Sequence, residues 1–159
     1  MPVTTDIVES WRNPRAVLRR RLDSAREADA LAVLMAACGL IFVSQWPGLA
    51  RAAHLDPSIP LDARLGGALL GAVFLLPPIA YGIAALSHLV ARAFGGKGDW
   101  LGARLALFWA LLAVSPLMLL QGLVAGFMGK GPALTLVGAG VGLVFVLQWI
   151  LGLIEAERG

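Results

Sequence analysis

Four long apolar stretches, Ala30–Trp46, Leu65–Leu86, Gly102–Phe127 and Ala133–Ile154, separated by short breaks rich in Gly and Pro, fill most of this 159-residue chain. A bilayer core about 30 Å thick takes about 20 apolar residues at a helical rise of about 1.5 Å each. The middle two stretches exceed that length. The first reaches it by extending backwards through Ala25–Ala28, which leaves Asp29 near the interface. With 58% of residues apolar, 14% charged and a mean hydropathy of +0.79, the composition is one that a soluble domain of this size could not place on its surface. The expected fold is an all-α membrane protein, a four-span transmembrane helical bundle with short amphipathic N-terminal helices. Residues 1–28 form a basic segment, 29–154 the transmembrane domain and 155–159 a tail. The lone Cys38 lies in the first span, so no intramolecular disulfide is available. The apolar run starts too late for a secretory signal and no small-residue cleavage site follows it, so the first span is expected to remain as an anchor.

Orientation follows from the basic residues. Arg12, Arg15, Arg19, Arg20, Arg21, Arg26, Arg92, Lys97, Arg104 and Arg158 fall on one side of a four-span arrangement, and Arg51, Arg64 and Lys130 on the other, ten against three. That asymmetry predicts both termini and the Arg92–Arg104 connection in the cytoplasm. Capping patterns mark the boundaries: Asp6 with Glu9, Ser24 with Glu27, and Asn13 before Pro14 at a first helical position. Arg15, Arg19, Arg20 and Arg21 surround Val17, Leu18 and Leu22, and such a helix can rest on the inner leaflet with its guanidiniums on anionic headgroups. The same arginines also read as a plain topology signal. Beyond the first span, Pro47, Pro57 and Pro60 are expected to end the helix, Asp62 to cap the next one, and His54 to be a solvated loop histidine. Trp46, Trp100 and Trp149 fall where indoles anchor at headgroup level.

Inside the predicted hydrocarbon the informative residues are those that lipid does not welcome. Pro77-Pro78 removes two backbone donors from the second span and predicts a kink or local unwinding. Next to it, Tyr81, Ala85, His88 and Arg92 share a helical face. Ser115-Pro116 is a second break in the third span, with Gln121 beyond it and Gln148 in the fourth. Tyr81, His88, Ser115 and Gln121 are candidates for an intramembrane polar site; the alternative is hydrogen bonding that repairs the backbone around the prolines. Three Gly-x-x-x-Gly pairs, at Gly67/Gly71, Gly122/Gly126 and Gly138/Gly142, offer close helix approach, a weak signal in a chain with 19 glycines. The Gly95-Gly96-Lys97-Gly98-Asp99 turn invites a phosphate-loop reading but fails its pattern and has no strand before it. It reads better as a helix reversal with Asp99 as the cap.

Phe94-Gly95-Gly96-Lys97-Gly98, leading into Gly102-Ala103-Arg104-Leu105 and Ser115-Pro116, resembles the bacterial form of the YIP1 family of integral membrane proteins, and Asn13-Pro14-Arg15-Ala16-Val17 is similar to that family's entry segment. The resemblance covers about Trp11 to Leu153. It implies a compact multi-span bundle with a cytoplasmic N-terminal segment and no catalytic chemistry. Many members have five spans where four are counted here, and the Asp-Leu-Tyr-Gly-Pro motif of the eukaryotic members that meet small GTPases is absent. The function expected is therefore a non-enzymatic membrane scaffold or adaptor affecting membrane organisation, in a bacterial inner membrane. Its expected partners are membrane lipids, anionic ones included, and membrane proteins or further copies of itself, with no cofactor and no nucleic acid. The alternative is a small transporter or channel with a polar site between spans two and three. Against it stands the lack of any Asp or Glu in the predicted hydrocarbon core. An enzyme would need paired carboxylates, metal-spaced His/Cys or a Ser/His/Asp set, and none is recognisable.

Overall fold

Hydrocarbon cannot hydrogen-bond a peptide group, so each crossing segment must satisfy its own backbone, and a helix does so within one segment. The computed structural model describes residues 3–158, and the regular structure among them is all helical. Two short ones come first, α1 (Val3–Ser10) and α2 (Pro14–Asp23). Four helices long and apolar enough to cross a membrane follow: α3 (Glu27–Leu55), α4 (Leu61–Ala93), α5 (Trp100–Phe127) and α6 (Pro132–Ala156). They run alternately up and down. Glu27, Ala93, Trp100 and Ala156 gather at one end, the near end, and α1 and α2 pack there. The chain is an integral membrane protein of four spans.

The helix α5 is the axis. From Leu105 to Ser115 every residue is buried, against α3 on one side, α6 on another, α4 on a third and the N-terminal helices on the remainder. The other three spans turn large apolar side chains such as Phe74, Ile83, Leu136 and Leu143 outwards, as a helix facing lipid does.

The expected boundaries hold in part. Asn13 caps α2, its Oδ1 accepting from the Ala16 amide at 3.3 Å with Pro14 in the first turn, and Asp99 caps α5, accepting from Gly102 N at 2.7 Å. Ser24 with Glu27 is not the cap of α3: Ser24 closes α2, and the Asp29 carboxylate reaches back to the Arg26 amide at 2.9 Å. Asp6 lies within the first turn of α1 rather than in the capping position. Asp62 sits in the first turn of α4, with Pro60 in the capping position.

The prolines are the clearest departure from expectation. Pro47 does not end the first span, which continues to Leu55. Losing one donor inside a helix leaves one carbonyl short, whereas ending the helix in an apolar medium would strand several groups. Ser115-Pro116 is likewise no break. Pro116 cannot donate to the Leu112 carbonyl, and the Ser115 hydroxyl does so instead at 2.6 Å. At Pro77-Pro78 the expected unwinding takes a specific form: Leu70–Leu75 is a π-helical turn, with the Leu76 amide donating to Gly71 O five residues back. Widening the turn displaces the carbonyls that the two rings would strike.

Of the three Gly-x-x-x-Gly pairs, Gly122/Gly126 makes a close crossing. A Cβ on Gly122 would stand 1.8 Å from the Ser44 carbonyl oxygen, and one on Gly126 2.4 Å from Pro47 Cβ. Around Gly67, Gly71 and Gly142 there is nothing within 4 Å, while a Cβ on Gly138 would meet the Gln121 amide at 3.2 Å. Gly122→Ala is therefore expected to lower stability in micelles by about 1–3 kcal/mol, the usual cost of overpacking. Gly71→Ala should be neutral or stabilising by up to about 1 kcal/mol through helix propensity. Reversible denaturation of both variants in mixed micelles checks this, and equal effects would contradict the crossing.

Candidate functional site

The polar chemistry of the chain collects at the near end, where α1 and α2 lie against the bundle as a hairpin. Apolar and polar contacts both fix it. Val17 and Leu18 are fully buried, and Leu18 reaches the space that Gly152 leaves by lacking a side chain. Ser10 is a hub. The Trp109 indole donates to its hydroxyl at 2.7 Å, that hydroxyl donates to Asp6 O at 2.8 Å, and the Gln148 amide nitrogen donates to Ser10 O at 2.7 Å. Trp11 donates from its own indole to Ala113 O at 3.0 Å. Trp109 is five residues past Arg104 on α5, about 7 Å along the axis, so the end of α1 packs inward of that arginine.

Above these contacts three carboxylates are nearly buried, each with its own donors. Asp6, 4% exposed, accepts from Arg20 at 3.0 Å and Arg21 at 2.6 Å, and the Arg21 guanidinium stacks 4.3 Å from the Trp109 ring centroid. Glu155 accepts from Arg15 at 3.0 Å and Arg19 at 2.7 Å. Glu157 lies 2.6 Å from His88 Nδ1 and accepts from the Gly98 amide at 3.1 Å. A carboxylate only accepts, so in the His88 contact the ring nitrogen carries the proton. Further out, both Glu9 oxygens meet Arg20 at 2.8 Å, which holds the Glu9 carboxyl below the usual carboxylate range and raises Arg20 in turn.

The glycine-rich turn does cradle an anion, and the chain itself supplies it. Gly98 approaches so closely that a Cβ there would lie 2.2 Å from Ala156 O, and one on Gly96 would lie 2.6 Å from Glu157 Oε2. Gly95 has φ +90°, and the Lys97 amide donates to Glu157 O at 2.9 Å. The turn is thus a clasp on the end of α6. Residues 155–157, the start of the segment read as a tail, are buried, Glu155 against α2 and Glu157 in this turn.

The four polar candidates are not brought together. His88 is buried on Glu157 and lies 4.5 Å from the Trp100 ring, and Tyr81, two turns away on the same face of α4, packs edge-on to Phe108 at 5.0 Å with Arg104 over its ring. Ser115 is spent on its own helix. Gln121 lies in the far half, beside a cavity of about 460 Å³ that Ser44 and Gln45 also line. The four arginines proposed for lipid headgroups are engaged by Glu155, Asp6 and Glu9, with Arg19 the most exposed of them. His54 is exposed, but in the last turn of α3 rather than in the expected loop, because the helix runs on past Pro47. No trio of His, Cys, Asp or Glu suited to a metal occurs among the described residues.

Sequence reasoning missed Ser10, Trp109, Glu155 and Glu157 as organising groups. The signal available was Gln148 and Trp109, polar donors on apolar runs that need partners. Compared with protein-family models, curated proteins and solved structures, the chain matches none.

Glu155→Gln should release α2 while leaving the spans assembled, because Arg15 and Arg19 lose their shared acceptor. A cost of about 1–3 kcal/mol is expected for unpairing such groups. Limited trypsin digestion in micelles reads the release as faster cleavage after Arg15 and Arg19; an unchanged cleavage rate would mean that apolar contacts alone hold α2.

Proposed function

We propose that this chain is a non-enzymatic membrane scaffold or adaptor of YIP1 type, which affects membrane organisation from a bacterial inner membrane with both termini cytoplasmic. The observation that carries the reading is the joining of the chain's two ends: α2 closes on Glu155, and the Gly95–Asp99 turn closes on Glu157. The buried carboxylates are consumed inside the fold, and Arg12, Arg92 and Lys97 are left exposed around the near end. A rigid basic face on a lipid-embedded bundle suits docking to an acidic segment of another membrane protein or to a further copy of the chain. The grouping of Arg51, Arg64 and Lys130 towards the far end supports the orientation through the positive-inside rule.

A small transporter or channel with a polar site between spans two and three has weaker support. The polar groups that share a cavity, Ser44, Gln45 and Gln121, belong to spans one and three.

A photo-crosslinking residue placed at Arg12, Arg92 or Lys97 in native membranes is expected to give discrete protein adducts, including self-adducts, while the same residue at exposed Leu143 gives none. Saturable solute uptake by proteoliposomes with no such adducts would replace the scaffold reading by transport. For orientation, Ser58→Cys on a Cys38→Ala background should label from the periplasmic side; labelling from the cytoplasm alone would reverse it.

A further inference from the structure

We infer that a groove between the N-terminal hairpin and α3 seats one anionic phospholipid, with its phosphate on Arg21 and Arg26 and an acyl chain along α3. The inference stands apart from the scaffold reading. The groove encloses about 690 Å³, within the range of about 300–1,000 Å³ usual for small-molecule sites.

Its chemistry is graded. At the mouth are Arg20, Arg21, Arg26 and the Ser24 hydroxyl, with Asp6 and Asp29; the floor is Ala32, Val33 and Ala36 of α3 with Leu105 and Leu112 of α5. Asp29, Ala32, Val33 and Ala36 follow one helical face, so the groove descends about 10 Å along α3 from charge to methyl groups. Ala32 and Ala36 are exposed, and their small side chains leave a slot open towards the membrane. A soluble anion would use the mouth and leave this floor bare. A phospholipid uses both.

The mouth also has donors in excess. Arg20 is committed to Glu9 and Asp6. Arg21 gives one terminal nitrogen to Asp6, and its side chain remains 23% exposed. The Arg26 side chain is 80% exposed, and its guanidinium meets Asp29 through Nε at 3.4 Å, which leaves its two terminal nitrogens unused by that contact. Guanidinium groups match phosphate oxygens in geometry and charge. A zwitterionic headgroup would bring a choline cation against the same arginines, so an anionic lipid is the better fit.

The test uses the full chain, purified, delipidated and reloaded with phosphatidylglycerol or phosphatidylcholine, with retained lipid counted by native mass spectrometry. Phosphatidylglycerol should be retained over phosphatidylcholine. Arg26→Gln should cut phosphatidylglycerol retention about fivefold, the loss of one basic contact near a charged lipid. Ala36→Phe should abolish retention of both lipids by filling the slot, while Ala139→Phe on the outer face of α6 leaves retention unchanged. Arg26 and Ala36 are both exposed, and melting temperatures report their folding; should one variant unfold, the other decides from the opposite end of the groove. Equal retention of the two lipids by wild type, retention unmoved in the folded groove variants, or full displacement of the lipid by soluble glycerol 3-phosphate would each overturn the proposal.

Discussion

A peptide group in hydrocarbon has only other protein groups to bond, and the way this chain treats its prolines follows from that constraint. Three proline sites fall within spans and none ends a helix. At Pro116 a neighbouring serine hydroxyl takes the carbonyl that the ring cannot serve. At Pro77-Pro78 the preceding turn widens to a π-helix and moves the carbonyls away. At Pro47 the helix simply continues, and the ring becomes packing surface for Gly126 of α5. The outcome is a set of unbroken helices long enough to cross, with α5 in the middle because α3 can approach it to backbone contact at Gly122.

The same scarcity of partners governs the near end. A carboxylate withdrawn from water costs several kcal/mol unless its oxygens are met by donors. Asp6, Glu155 and Glu157 each have such a set: two arginines, two arginines, and an imidazole with a backbone amide. These sets join elements far apart in sequence, since Arg15 and Glu155 are separated by 140 positions. The ion pairs therefore fix where the hairpin lies rather than whether the spans form. The glycine turn fits this scheme, with backbone donors and close approach serving an internal carboxylate where a phosphate loop would serve a ligand.

The spans were legible because length and apolarity suffice to define them, and the Asn13-Pro14 and Asp99 caps because a cap is decided within four residues. What depended on a partner was not legible. The three Gly-x-x-x-Gly pairs look alike as strings, and what distinguishes Gly122 is a carbonyl on α3 that the local sequence does not contain. Glu155 and Glu157 resemble an exit into water, because charges after an apolar run usually are one. Arg21, which projects between the apolar Val17 and Leu18 of α2, has a partner visible only in three dimensions: it points at Asp6 and Trp109. The four-residue polar site failed to assemble because depth agreement is weaker than contact, and Tyr81, His88, Ser115 and Gln121 each found a different neighbour.

Apolarity could not identify the central helix either, since lipid and protein interior are equally oily and all four spans qualify alike. What marks α5 is its demand for polar partners. Trp109 carries an indole N–H on its buried face, and such a donor needs an acceptor. Ser10 supplies it with its hydroxyl, and the same residue's carbonyl serves Gln148 of α6. The hairpin thus supplies hydrogen-bond partners to two spans at once. That gives the basic segment a structural reason to lie where it does, independent of any attraction between its arginines and a membrane surface. It also explains why the arginines nearest the carboxylates are clamps, while Arg26, just beyond the hairpin, is held only by exposed Asp29.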